Sequence, residues 1–256
     1  MRVLTAIPVY NEERYVEAVL EEVRRYCPEV VVVNDGSTDG TAALLARHPE
    51  VRLITHERNW GYGAALISAF AHAQTLPIDV LVTMDCDGQH EPSRIPVLLE
   101  ALHDCDIVSG SRYLRDFRQD TSAPEDRRRI NAAITAELNR RFGLNLTDAF
   151  CGFKAYTRES LGKLRITEMG WGMPLQLWVQ AACAGLRINE VAVPRVYLDP
   201  DRAFGGVLND AAERLAYYRR VIDSAEAACF ARCGFAPSPY PLPRGGGEGR
   251  VRGACR

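Results

Sequence analysis

The sequence has no apolar run near the ~18 residues that cross a bilayer, and no excess of either charge. Its 31 Lys and Arg face 33 Asp and Glu, a formal net charge of −2. The first absence argues against a spanning helix, the second against a nucleic-acid binder held by bulk charge. Eight cysteines stand at 27, 86, 105, 151, 183, 229, 233 and 255 without one C-x-x-C pair, so a zinc site is not expected and the thiols read as small buried hydrophobes. No G-x-G-x-x-G follows the first apolar run. Pro8 and Tyr10 stand there instead, and the later GYGAAL lacks a third glycine, which excludes a dinucleotide-binding dehydrogenase. No repeat is present. The opening MRVLTAIPVYNE turns polar too early for a signal peptide, so a cytoplasmic location is expected.

What is there is an alternation. Short β-branched runs at 3–7, 30–33, 51–55, 79–84 and 106–110 read as strands, and between them helical patterns cover 12–26, 41–47, 63–75 and 92–102. Strands and helices in turn imply an α/β fold, a mostly parallel sheet with helices on both faces, and ligands at the C-terminal strand ends. Further on, a helix is expected at 127–142, a strand at 150–156, a helix at 173–184, a strand at 186–193 and a long amphipathic helix at 207–232. One domain should span 1–233, and the Gly- and Pro-rich 234–256 should be a disordered tail.

The informative residues stand where strands stop. IPVYNE follows the first, with Pro8 at a turn, Tyr10 as a stacking ring and Glu12 opening a helix. VNDGSTDGT follows the second. There Asp35 can accept hydrogen bonds from a base or ribose, or serve as a turn or helix cap. RNWGYGAAL follows the third, where glycines allow backbone to approach a ligand. The fourth exit carries Asp85 and Asp87 in MDCDGQH. In extended chain residues i and i+2 face one side, so two carboxylates converge; they share a proton, pair with a base or hold a cation. At the fifth, Arg112 joins the rim. An aromatic platform, an acid, glycine turns, paired acids and an arginine suit a nucleoside diphosphate bridged by a divalent cation. Asp85 and Asp87 supply hard oxygen ligands for Mg or Mn, and Gln89 is a further ligand or an outer partner.

Two other classes compete. DCDG is similar to the aspartate motif of haloacid-dehalogenase-type phosphatases, in which Asp85 would be the nucleophile, but Gln89 stands where that family has Thr and the motif is not on the first strand. A non-catalytic nucleotide-sugar-binding module is the other. An EF-hand fails because Gly88 is fourth, not sixth, from Asp85.

The ordered set IPVYNE, VNDGSTDGT, NWGYGAA, DCDGQH, GSR and TDAFCGFKAY, over about residues 3–206, resembles glycosyltransferase family 2, in its polyprenyl-phosphate sugar synthase branch. The resemblance implies a GT-A fold and inverting, Mg- or Mn-dependent transfer from a nucleoside-diphosphate sugar. It assigns Pro8, Tyr10, Glu12, Val33 and Asp35 to base and ribose, and Asp85, Asp87 and Gln89 to metal and diphosphate. Cys86 would contribute backbone only, and Arg112 would contact the sugar-phosphate region. The branch commonly closes with R-x-x-G-x-S-K. RAFGGVL keeps Arg202 and Gly205 but has Val207 and Leu208 where Ser and Lys belong.

A polyprenyl-phosphate acceptor is already anionic and needs no base. Arg127, Arg128 and Arg129 would bind its phosphate, or form a solvated helix start. A hydroxyl acceptor needs a base, for which Asp148 is the candidate. A lipid acceptor also requires docking on the inner membrane face. Arg214, Tyr217, Tyr218, Arg219 and Arg220 offer a surface for that, or pack the last helix on the domain.

Overall fold

A computed structural model of the chain describes residues 1–198 and 204–233. The expected tail, 234–256, and Arg202 fall outside the described residues. One seven-stranded sheet organises the rest, in the order β3-β2-β1-β4-β6-β5-β7. Its strands are β1 (Val3–Val9), β2 (Val30–Asn34), β3 (Arg52–Thr55), β4 (Val80–Thr83), β5 (Ile107–Ser111), β6 (Lys154–Thr157) and β7 (Ile188–Ala192). The helices are α1 (Val16–Tyr26), α2 (Thr41–Leu45), α3 (Tyr62–Thr75), α4 (Ile95–Ala101), α5 (Glu125–Phe142), α6 (Arg158–Lys163), α7 (Met173–Cys183) and α8 (Ala211–Cys233).

Every residue of β2, β4 and β5 is buried, as strands covered on both sides require. Alternate side chains separate into two cores. Val31 and Val33 pack with Ala69, Phe70, Trp178 and Ile222 from α3, α7 and α8. Val30 and Val32 pack with Leu20, Val23 and Leu98 from α1 and α4. The sheet is parallel except at β6, which runs antiparallel to both β4 and β5.

Several boundaries differ from the sequence reading. The first helix begins at Val16, not 12, because Asn11 (φ 56°) turns the chain and Asn11, Glu12 and Glu13 are tied to the loop after β2. Asn11 Oδ1 accepts from Thr38 N (2.8 Å), Thr41 Oγ1 from Glu12 N (2.9 Å) and Glu13 Oε2 from Gly40 N (2.8 Å). The strand expected from 150 starts at Lys154, since residues 150–153 form the approach to it. The helix expected at 207–232 is a short 3-10 turn, Gly206–Asn209, followed by α8, because Asp210 Oδ1 accepts from Ala212 N (2.8 Å) and Glu213 N (2.9 Å) and caps a new start. Helix α6 was not expected; Thr157 caps it through Ser160 N (3.1 Å).

Candidate active site

The C-terminal strand ends and the loop before α7 enclose a cleft of about 820 Å³. Pro8, Tyr10, Glu12, Asp35, Asp85, Cys86, Asp87, Gln89, Arg112 and Arg127 all line it. Val33 does not. It is fully buried and packs within the core, because it lies a residue short of the strand end and its pleat faces α3.

Asp85 leaves β4 with its side chain 30% exposed, open to the cleft. Tyr62, on the first turn of α3, donates its hydroxyl to Asp85 Oδ1 (3.0 Å). Burial first, and the Asp85 charge second, push the Tyr62 phenol well above its ordinary value, so it stays a donor. Behind Asp85 stands Gly152. A Cβ there would lie 2.5 and 2.7 Å from the two carboxylate oxygens, so only glycine leaves room for them. Asp87 accepts from Gln89 N (3.1 Å) and Gln89 Nε2 (2.9 Å), so the Gln89 amide holds this carboxylate. Asp85 N donates to His90 Nδ1 (3.0 Å), a contact that Nδ1 accepts only while it carries no proton. Burial opposes protonation of that ring, yet Asp85, then Cys151 and then Asp87 draw its pKa up to about 9, a pull that a cation at the carboxylates would oppose. Among the described residues no group of three His, Cys, Asp or Glu forms a cation cage. Two hard carboxylate donors opening on a cleft fit instead a divalent ion whose other ligands come from phosphate.

Asp35 sits lower, its side chain 4% exposed. Oδ1 accepts from Trp60 N (3.0 Å) and lies 2.7 Å from His56 Nδ1, while Oδ2 accepts from Gly61 N (2.8 Å). This acid ties the β2 exit to the β3 exit. The glycines of NWGYGAAL likewise admit the chain's own backbone. A Cβ at Gly61 would lie 2.4 Å from Met169 O, and one at Gly63 would lie 2.2 Å from Glu168 O. The segment brought in this way carries Trp171, which stacks on Tyr62 (centroids 5.2 Å apart, 12°) and donates Nε1 to Phe204 O (3.1 Å).

Arg112 and Asp148 form a buried pair. Nε donates to Oδ2 (2.7 Å) and Nη2 to Oδ1 (2.9 Å), the bidentate geometry that suits guanidinium to carboxylate. Asn131 Nδ2 (2.8 Å) and Phe150 N (3.1 Å) also donate to Asp148 Oδ1. Burial alone would raise this carboxyl, but Arg112 and these donors hold it down at about 2. Asp148 does not line the cleft.

Of the three consecutive arginines only Arg127 lines the cleft. Arg128 and Arg129 are exposed, and Arg129 pairs with Glu125 at 4.0 Å, because successive helical residues point about 100° apart. The last helix packs on the domain. Tyr218 and Arg214 are buried, Tyr217 donates to Glu168 Oε1 (2.6 Å) and Arg219 to Glu137 Oε2 (3.1 Å). The sequence reading missed Tyr62, Trp171 and Arg214 as cleft residues. A Gly-flanked aromatic just before a helix signalled the first two. For Arg214 the signal was its place one turn before Tyr218 on the apolar stripe.

The Glycosyl transferase family 2 model matches residues 5–165. The chain belongs to glycosyltransferase family 2. It is 35% identical over 222 residues to an undecaprenyl-phosphate mannosyltransferase of Micrococcus luteus, covering 82% of this chain and 91% of that protein. It is 33% identical over 205 residues to a polyprenol monophosphomannose synthase of Mycolicibacterium smegmatis, covering 75% of this chain and 76% of that one. Both belong to the polyprenyl-phosphate branch whose motif order the sequence shows. Crystal structures of glucosyl-3-phosphoglycerate synthase from Mycobacterium tuberculosis share the fold. One holding UDP has a TM-score of 0.63 at 21% identity, over 92% of this chain and 81% of that one. The fold of this family 2 enzyme is therefore GT-A, and the phosphatase and binding-module alternatives lose their support.

Proposed function

We propose that this glycosyltransferase moves a hexosyl unit, with inversion, from a nucleoside-diphosphate sugar to the phosphate of a polyprenyl phosphate, and that Asp85 and Asp87 hold the Mg or Mn ion this needs. The two mannosyl-transferring relatives and the metal- and UDP-sugar-bound GT-A neighbours support that reading. When bound, the ion supplies charge neutralisation to the departing diphosphate. The chain's own residues do the rest. Pro8, Tyr10 and Glu12 wall the nucleoside end, with Asp35 fixing the loops around it. Tyr62 and Gly152 orient the Asp85 carboxylate, and Gln89 orients that of Asp87. Arg112, braced by Asp148, presents its charge at the cleft for the sugar-phosphate region. Arg127 faces the acceptor phosphate, while Arg128 and Arg129 remain outside.

One observation carries the choice of acceptor. Both oxygens of Asp148, the carboxylate that motif order offers as a base for a hydroxyl, are committed to Arg112, Asn131 and Phe150 N. A phosphate oxygen needs no base, and it attacks the anomeric carbon from the face opposite the leaving group. Since no described helix is long and apolar enough to cross a membrane, a lipid acceptor reaches the cleft from a surface. The test offers the purified chain GDP-, UDP- and dTDP-sugars with Mn or Mg, and either polyprenyl phosphate or the free polyprenol. Release of nucleoside diphosphate should require the phosphorylated lipid and stop on chelation by EDTA. Equal release with the free alcohol sinks the phosphate acceptor.

A further inference from the structure

Two guanidiniums in the cleft lie against one ring. Arg127, from α5, has Cζ 4.8 Å from the Phe204 centroid, and Arg214, from α8, has Cζ 4.4 Å from it. Arg214 is only 2% exposed, yet it lines the cleft. Its Nη1 donates to Leu208 O (2.7 Å) and Asn209 O (3.4 Å), and its Nη2 pairs with Asp126. A guanidinium has five N–H donors, so these three contacts do not exhaust it. Burying a cation merely to clip a short turn is poor economy, because an apolar side chain of similar volume is commonly as stabilising there. The carbonyl that Arg214 grips is also informative. Leu208 stands where the family branch carries lysine, and the neighbouring helix brings a cation to that very backbone.

We propose that Arg214 is a phosphate-binding residue of the cleft. With Arg127 it presents a second guanidinium to a phosphate oxyanion of the substrates, doing the cationic work for which position 208 has no side chain. Phe204 holds both cations broadside, which spares the entropy of ordering two long side chains when the anion arrives. The anion is either the donor diphosphate or the acceptor phosphate, so the inference rests on the transfer reaction proposed above.

The test is steady-state kinetics and thermal unfolding of the full chain carrying Arg214→Met, Arg214→Lys, or Arg214→Met together with Leu208→Lys. Arg214→Met should raise KM about tenfold or more for one phosphate-bearing substrate, the loss expected for a charge-assisted hydrogen bond. Arg214→Lys should retain most of the wild-type value, and Leu208→Lys should recover much of what Arg214→Met loses. A rise confined to polyprenyl phosphate assigns the acceptor; one confined to the nucleotide sugar assigns the diphosphate. Unchanged KM for both overturns the proposal, as does a loss that neither lysine restores. If Arg214→Met does not fold, Asp126→Asn with Arg214→Gln removes both charges at once, and calorimetry with inorganic pyrophosphate and with inorganic phosphate decides: weakened binding of either supports the assignment and unchanged binding of both overturns it. If the wild type transfers sugar to no polyprenyl phosphate, the functional reading fails, while these titrations still judge Arg214.

Discussion

At the scale of single residues, the cleft is set by what each carboxylate is allowed to do. Asp148 is turned away from the cleft and consumed by the chain's own donors, whereas Asp35, Asp85 and Asp87 all line it. Of those three, Asp35 is the most deeply engaged, with Trp60 N, Gly61 N and His56 on its two oxygens. Asp87→Ala should abolish both turnover and Mn-dependent binding of nucleoside diphosphate while leaving the urea midpoint near wild type. Titration with and without Mn reads this directly, and a variant that keeps both activities removes Asp87 from the cation site. Sequence exposed the pair Asp85 and Asp87 because adjacency after a strand is a local signal. It could not show that Asp148 is locked, since its partners Arg112 and Asn131 lie 36 and 17 residues away.

At the scale of elements, the first five strands were legible within a residue or two because each opens on or contains a short apolar run, which in β1, β2 and β4 is buried almost throughout. The direction of β6 was not, as a strand's residues carry no mark of which way its neighbours run. The exit loops were legible as functional, but part of their chemistry proved to be stitching. The glycines after β3 make room for residues 168–170, besides the place of Gly61 in the cleft wall, which a single sequence cannot reveal because the approaching backbone comes from a hundred residues on. Gly63→Ala tests this. The added methyl, 2.2 Å from Glu168 O, must push that segment aside, costing roughly 1–3 kcal/mol and loosening the Trp171 stack on Tyr62. Urea unfolding and tryptophan fluorescence should both shift, and an unperturbed spectrum at full activity contradicts the account. The triple arginine divides between its two readings, since helical geometry turns Arg127 to the cleft and leaves Arg128 and Arg129 exposed.

For the molecule as a whole, the Arg112–Asp148 pair ties β5 to the approach to β6 and so links stability to pH. Its carboxyl is depressed in the folded state, to about 2, from an unfolded value of about 3.9. The pair's contribution is therefore complete above about pH 4 and fades as pH falls towards 2. Urea midpoints measured from pH 7 down to pH 2 should fall in the wild type. In Asp148→Asn they should start lower, by roughly 3–5 kcal/mol for a buried guanidinium left without its partner, and should vary less across that range. Parallel curves for the two proteins contradict the linkage.

The reversed strand carries one more consequence. Because β6 runs against β4 and β5, the chain arrives at the rim just before entering it, and Asp148, Phe150 and Gly152 lie on that inbound path. The stretch from Arg112 to Phe153 is thus one excursion between β5 and β6, and its helix α5 is held to the core by Ile130, Ile134 and Leu138. A single chain reversal therefore delivers Arg127 and Asn131 to the cleft that the exits of the parallel strands open.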